Sequence, residues 1–232
     1  MLSIVIPCYN EEERLPRTIE QIERYLEGRN IDYELILVDD GSTDGTRLVM
    51  DAAAERNRHV RLEALAQNRG KGRALAEGVA AATGSEVLVT DADLSTPIEE
   101  LEKLQARLDQ GAGVAIASRA LRASRVEVSQ PIYRVLMGKV FNLLVQVVLL
   151  PGIWDTQCGF KLFRAEVAHD AFGHLTTDGF GYDPEVLYRA KKLGVKIAEV
   201  PVVWRNSAPT KVSPIKSSLD MFKHVVRLRF RS

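Results

Sequence analysis

The sequence predicts an α/β domain with a mostly parallel central sheet and helices on both faces. Short apolar runs alternate with helix-period stretches through the first half of the chain. Three of those runs, at 2–6, 33–38 and 86–90, end in polar, turn-forming residues that must lie at the same edge of the sheet. Each is followed by an N-cap candidate and a helical pattern, as in nucleotide-binding α/β domains.

In order, strands are expected at 2–6, 33–38, 60–64, 86–90 and 114–117, and helices at about 14–27, 43–57, 72–82 and 98–109. Regular βα alternation implies right-handed crossovers. From Ala120 the pattern changes. A basic, polar loop through Gln130 leads to Pro131, then to a helix at about 132–149 that is apolar nearly all round in its second half and is ended by Pro151-Gly152. Residues 155–163 read as a turn and a strand returning to the sheet, and 165–172 as a short helix. Residues 184–193 read as a helix with Pro184 near its first turn and Gly194 at its end, 197–203 as a strand, and 215–229 as an amphipathic helix running into Arg227-Leu-Arg-Phe-Arg231.

A chain of 232 residues fits one domain, 1–232, with no internal repeat or low-complexity linker. Its formal net charge is zero with the signs interspersed, which gives no electrostatic case for nucleic acid. Two cysteines, Cys8 and Cys158, make no disulfide framework and suit a reducing cytoplasm. The first strand opens the chain directly, without the basic and apolar regions of a secretory signal. The most apolar segment, 140–150, is about half the roughly 20 residues a transmembrane helix needs, so it is expected in the core or at an interface.

The chemistry concentrates at strand ends. Asp91-Ala92-Asp93 follows Glu86-Val-Leu-Val-Thr90, and ligands of doubly wound sheets bind outside the carboxyl ends of the strands. One or two carboxylates plus phosphate oxygens are what Mg²⁺ or Mn²⁺ accepts, so the pair points to a metal-bound diphosphate; an isolated pair there would more often cap a turn. Asp39-Asp40-Gly-Ser-Thr-Asp44 ends the second strand and Pro7-Cys-Tyr-Asn-Glu11 the first. Asn68-Arg-Gly-Lys-Gly72 is a short basic loop whose glycines let backbone N–H groups and a cation approach an anion.

In order and spacing, Ile4-Val-Ile-Pro-Cys-Tyr-Asn-Glu11, Val38-Asp-Asp-Gly-Ser-Thr-Asp44, Asn68-Arg-Gly-Lys-Gly72 and Asp91-Ala-Asp-Leu94 resemble the family 2 inverting glycosyltransferases of the GT-A fold. Asp155-Thr-Gln-Cys-Gly-Phe-Lys-Leu-Phe163, Gly179-Phe-Gly-Tyr-Asp-Pro-Glu185 and Val200-Pro-Val-Val-Trp204 with Lys211-Val212 are similar to the polyprenyl-phosphate (dolichyl-phosphate) glucosyl- and mannosyltransferase branch, above all the β-glucosyltransferases. The similarity spans nearly the whole chain. It implies a nucleotide-sugar-binding half, 1–118, and an acceptor-binding half, 119–232, in which the helices at about 132–149 and 215–229 are candidates for lying in a membrane interface.

The resemblance places Pro7, Tyr9 and Glu11 around base and ribose, Asp40 on the base and Lys71 near the base or diphosphate; Asp39 is expected among the nucleotide-binding residues, and Asp91 at ribose or metal. Asp93 is expected as the principal metal ligand, with Ser95 where relatives often place a third ligand; the mannosyltransferases carry glutamine there. The residue types agree, since Tyr offers a stacking face, carboxylates accept from ribose or base donors, and Lys supplies a point charge.

The acceptor decides what else is needed. A hydroxyl must lose a proton to a positioned base, whereas a phosphate is already anionic and needs cations, best Arg. Arg119, directly after the 114–117 strand, is the first candidate for an acceptor phosphate; Arg134 and Lys211 follow by resemblance, and Arg205 equally suits a surface salt bridge. Asp155 is expected to orient sugar hydroxyls and the arginines, or with Asp183 to supply the base if the acceptor is a hydroxyl. Glu185 lies beside them. Trp204 reads as core more readily than as a stacking platform.

The expected activity is inverting, Mg²⁺- or Mn²⁺-dependent transfer of glucose from UDP-glucose to a polyprenyl phosphate by a protein held peripherally at the cytoplasmic face of a membrane. The alternatives are GDP-mannose or another UDP-hexose as donor and a glycan or soluble hydroxyl as acceptor. A non-catalytic sugar-nucleotide-binding protein is a further alternative, separated from an enzyme by metal-dependent donor hydrolysis.

Overall fold

The structure, a computed structural model, describes residues 1–128, 132–205 and 214–231, with side chains described for 1–127, 136–205 and 221–230. The elements run β1 (Leu2–Cys8), α1 (Leu15–Glu27), β2 (Tyr33–Asp39), α2 (Thr46–Arg56), β3 (Val60–Ala64), α3 (Lys71–Ala81), β4 (Glu86–Val89), a 3₁₀ turn (Ile98–Glu100) into α4 (Leu101–Asp109), and β5 (Val114–Ser118). Then follow β6 (Arg125–Val128), α5 (Ile132–Val148), β7 (Lys161–Arg164), α6 (Ala165–Gly173), α7 (Tyr182–Lys192), β8 (Ile197–Pro201), β9 (Val203–Arg205) and α8 (Pro214–Arg231).

The main sheet has the order β3-β2-β1-β4-β7-β5-β8. Only β7 is antiparallel, inserted between β4 and β5 with Lys161 opposite both Val89 and Ile116. The start of β7 therefore lies at the carboxyl edge of its parallel neighbours.

Alternate residues of each strand feed two separate cores, so both faces of the sheet are buried and the strands read as continuous apolar runs. Ile4, Ile6, Leu35 and Leu37 pack with α1, α2 and α4, through Leu15, Ile19, Ile22, Met50, Leu101 and Leu104. Val5, Ile36, Val38 and Ile116 face the other way, against α3 and α5–α8, through Leu75, Val79, Phe141, Phe172, Val186 and Val225. Each fully buried Leu, Ile or Val contributes about 1.5–3 kcal/mol relative to exposure.

Four sequence expectations are corrected. The 120–130 stretch, expected as a loop, contains β6, which pairs with β9 in a separate two-stranded parallel ribbon. The single strand expected at 197–203 is two. Pro201 has no N–H to extend the pairing with β5, and the chain leaves the main sheet at Val202, whose carbonyl accepts from Arg125 N at 3.0 Å. The helix expected from 98 opens with a 3₁₀ turn after Pro97. The helix expected from 43 starts at Thr46, because Asp44 turns back on Thr46 N (3.0 Å) and Oγ1 (2.6 Å).

Candidate active site

The loop after β1 exposes the Tyr9 ring (39% accessible) beside Pro7. Glu11 is not free: Arg14 donates to it in a bidentate fork at 2.7 and 2.6 Å, and its own N–H donates to Thr46 Oγ1 at 2.6 Å. Asp39, buried at the end of β2, accepts from Ser42 N at 2.9 Å.

Asp40 accepts from Asn68 Nδ2 (3.1 Å), Arg69 N (2.7 Å) and Gly70 N (2.9 Å). Burial pushes its carboxyl up while the two backbone donors pull it down. The anion met by the N–H groups of the glycine loop is thus Asp40 itself. Both glycines of that loop are explained from the other side. Gly70 has φ +110°, and a Cβ there would strike the Asp178 carbonyl; one on Gly72 would strike the Thr177 carbonyl and Tyr182. Arg69 pairs with Asp178 at 2.9 Å, and Arg73 N donates to the Asp178 carbonyl at 3.1 Å, so residues 177–179 are strapped over the loop.

After β4, the turn at Asp91–Asp93 is held rigidly. Thr18 Oγ1 of α1 donates to the Ala92 carbonyl at 2.5 Å, Leu94 N donates to the Asp91 carbonyl at 3.2 Å, and Leu94 sits in the left-handed region at φ +43°. A buried Leu there is strained by order 1–3 kcal/mol, the kind of outlier that marks functional turns. Asp93 Oδ1 accepts from Ser95 N at 2.9 Å. Asp91 is ion-paired with Lys71, the first residue of α3.

Burial and the charge of Asp91 raise Asp93 above the usual carboxylate range. Burial opposes ionisation of Asp91 too, but the Lys71 ammonium outweighs it and holds Asp91 low. Burial likewise disfavours the Lys71 cation, and the Asp91 charge outweighs that, so Lys71 is raised well above its ordinary value. Two carboxylates in each other's field, one pushed up, are what a divalent cation would relieve, and their hard oxygens suit Mg²⁺ or Mn²⁺. Among the described residues no group of three His, Cys, Asp or Glu could hold an ion. The remaining ligands would be diphosphate oxygens and water, the mode in which Mg²⁺ is usually bound at such sites.

On the other side of the rim, Arg119 grips Asp155 through Nε (2.7 Å), Nη2 (2.9 Å) and its backbone N (2.9 Å), with its guanidinium 5.3 Å from the Trp204 ring. Burial works against both charges. The mutual attraction outweighs it, lowering Asp155 and raising Arg119. Asp183 is paired with the fully buried Lys161, which also donates to the Cys158 carbonyl at 2.6 Å. The Tyr182 ring lies 5.5 Å from the Lys71 ammonium and 5.7 Å from that of Lys161.

Glu185 accepts from Thr176, Arg189 and His224, pinning α8 to α7 rather than facing the rim. Arg205 is exposed and pairs with Glu127 at 2.7 Å across the β6–β9 ribbon, and Trp204 is core. The Arg134 side chain and Lys211 lie outside the described residues.

The rim thus gathers Tyr9, Glu11, Asp39, Asp40, Lys71, Asp91 and Asp93 on one side and Arg119 and Asp155 on the other. Sequence reasoning missed Arg14, which lies in the field of Asp93 and Asp91, and Lys161. The available signal for Lys161 was a lone charge opening an apolar strand, since a cation buried there must have a partner.

Residues 3–172 match the family model described as glycosyl transferase family 2. A dolichyl-phosphate beta-glucosyltransferase of Dictyostelium discoideum is 36% identical over 99% of this chain and 74% of that protein. One of Homo sapiens is 36% identical over 99% of this chain and 75% of its own length. Among solved structures, glucosyl-3-phosphoglycerate synthase from Mycobacterium tuberculosis in complex with Mn²⁺, UDP-glucose and phosphoglyceric acid superposes with TM-score 0.72 at 19% identity, over 99% of this chain and 79% of that one. The same enzyme with Mn²⁺ and UDP-glucose gives TM-score 0.71 at 22% identity, over 97% and 76%. The likeness to those structures shows a shared GT-A type fold. By its motifs and its relatives, the chain belongs to glycosyl transferase family 2.

Proposed function

We propose that the protein transfers glucose, with inversion, from UDP-glucose to a polyprenyl phosphate of the dolichyl type at a membrane surface. The observation that carries the reading is the commitment of both acceptor-side carboxylates to cations. Asp155 is locked to Arg119 and Asp183 to a buried Lys161, so neither is poised as the general base that a hydroxyl acceptor requires. A lipid phosphate needs no base. Its anionic oxygen attacks the anomeric carbon opposite the leaving UDP, and the demand on the protein is to hold two anions together.

In this reading Tyr9 and Pro7 flank the base, Glu11 and Asp39 receive donors from the nucleoside, and Asp40 shapes the loop that presents Lys71. Asp93, with Asp91 and Ser95, would hold Mg²⁺ or Mn²⁺, which supplies charge neutralisation on the departing diphosphate. Arg119, oriented by Asp155, grips the acceptor phosphate, with Arg134 and Lys211 assigned to the same anion. The names of the similar proteins support sugar and acceptor, and the Mn²⁺ and UDP-glucose of the structural neighbours support donor and metal. The chain works as one domain, 1–118 serving the donor and 119–232 the acceptor.

Among the described residues no helix is long and apolar enough to cross a membrane. On α5, Leu136, Val140, Leu143 and Val147 form one exposed stripe, while Phe141 and Val145 face the core with Val225 of α8. That stripe, together with exposed Phe222 and Arg227 of α8, supports peripheral docking, assigned to the cytoplasmic face. The test is incubation with membranes and a panel of labelled UDP- and GDP-sugars, followed by lipid extraction. Metal-dependent label from UDP-glucose in a polyprenyl-phosphate product is expected; label only in water-soluble products, or from GDP-mannose alone, would overturn the reading.

A further inference from the structure

We propose that the bend at 158–161 is the positioning element that keeps the donor carboxylate and the acceptor arginine in register, with Gly159 and Lys161 as its working residues. The proposal rests on the reading of the site given above. The bend touches both halves of the rim. At its start Gln157 N donates to Asp155 Oδ1 at 3.2 Å, the carboxylate that orients Arg119. One residue beyond Cys158, Gly159 lies against the Asp91 carboxylate: the three heavy atoms nearest a Cβ placed there are all Asp91's, and the closest would collide.

Gly159 has no left-handed φ, so backbone conformation alone does not demand glycine; the space taken by Asp91 does. The bend has little freedom to yield. Cys158 and Phe160 are buried, the Phe160 carbonyl accepts from Ala117 N of β5 at 3.0 Å, and Thr96 Oγ1 lies 3.6 Å from Cys158 Sγ. Lys161 closes it from below. Its ammonium caps the Cys158 carbonyl and is held by Asp183, in the strand wedged between β4, which leads into Asp91, and β5, which leads into Arg119. A cation and a carboxylate this deeply buried contribute little net stability, since apolar replacements often serve as well. Their place at the bend gives them a function: they hold the backbone of Cys158 and Gly159 against which the Asp91 carboxylate rests.

The test uses the full chain as wild type, Gly159→Ala, Asp91→Ala and the double variant. Thermal unfolding is followed without ligand, and UDP binding is titrated calorimetrically over a range of Mn²⁺ concentrations. Gly159→Ala should lower Tm in the wild-type background and leave it unchanged in the Asp91→Ala background, where the methyl has room. It should also weaken Mn²⁺-dependent UDP binding about 10- to 100-fold, as displacement of groups around a metal ligand does. In labelled-sugar assays it should cost about a hundredfold in turnover. An equal Tm drop in both backgrounds, or unaltered Mn²⁺ dependence of UDP binding, would overturn the role of Gly159.

For Lys161, the Lys161→Met/Asp183→Leu pair leaves no buried charge unpaired. In that background the bend can yield, and Gly159→Ala should cost less than about tenfold in the same titration; an undiminished penalty would overturn the part assigned to Lys161. Wild-type protein that binds no UDP at any Mn²⁺ concentration would refute the proposed function instead, while the Tm comparison would still decide the Gly159–Asp91 contact.

Discussion

Replacing Arg119 by Ala separates acceptor binding from donor binding and reports on stability in the same experiment. The guanidinium makes two side-chain bonds to Asp155, at 2.7 and 2.9 Å, and only a quarter of the Arg119 side chain is exposed. Removing it leaves the almost fully buried Asp155 carboxylate with backbone donors alone, from Arg119 N and Gln157 N. Breaking a buried pair costs about 3–5 kcal/mol, and the partial exposure of Arg119 places this one at the lower end, about 3 kcal/mol. For a chain of this size that lowers Tm by about 6–12 °C. In the reaction, a charge-assisted Arg–phosphate contact is worth about 1.5–3 kcal/mol, so kcat/KM for the lipid acceptor should fall roughly ten- to hundredfold or more. UDP binding in the presence of Mn²⁺ should change little, because Arg119 and the nucleotide side lie across the rim. The assay is acceptor-varied kinetics beside a UDP titration, run at a temperature where the variant is folded. Arg119→Lys should restore much of the stability and little of the activity, since an ammonium cannot reproduce the fork. Equal losses for donor and acceptor, or an unchanged Tm, would refute the reasoning.

Asp93→Asn should abolish turnover with Tm unchanged or slightly raised, because Asn Oδ1 can still accept from Ser95 N while repulsion with Asp91 is relieved; full activity, or wild-type activity after exhaustive chelation, would remove the metal role. At the opposite end of the sheet, Glu34 is buried among Ser3, Thr83 and Arg61, and although burial opposes its ionisation those donors hold it down to about 2 against an ordinary 4.5. A depressed carboxylate stabilises the fold above its unfolded pKa and loses that stabilisation as pH falls. About 3 kcal/mol should therefore vanish between pH 4.5 and 2 in the wild type but not in Glu34→Gln, and denaturant unfolding with parallel pH slopes for the two would contradict this. Sedimentation with anionic vesicles containing polyprenyl phosphate should weaken as salt rises, and weaken further when Arg227, Arg229 and Arg231 become Ser or when Val140 and Val147 become Asp; protein left in the supernatant at low salt would defeat the peripheral reading.

The parallel frame was legible because strands buried on both faces are continuous apolar runs with turn residues at one edge, and β1 to β5 fall within one or two residues of where those runs place them. What was hidden depends on partners distant in sequence. Arg125 to Val128 carries no apolar run, and it becomes a strand only because Val203–Arg205 crosses beside it. The direction of β7 is not written in its own four residues either. It follows from the long excursion through α5, which returns the chain at the carboxyl edge and sends it back across the sheet.

The site divides along the same line. Residue types suited to ligand chemistry at strand ends, such as Asp91, Asp93 and Arg119, can be found from the local pattern, because their position after an apolar strand already places them on the rim. Residues that act by filling or leaving space cannot. Gly70 and Gly72 looked like a cradle for an external anion, and their spacing is compatible with that. Their Cβ positions are in fact closed by residues 177–182, more than 100 positions away, and the N–H groups of Arg69 and Gly70 are spent on Asp40. The same holds for Gly159, whose missing methyl makes room for a carboxylate 68 residues earlier. A glycine in such a chain states that something comes close; only the fold says what: the backbone of 177–179 and the Tyr182 side chain for Gly70 and Gly72, and the Asp91 carboxylate for Gly159.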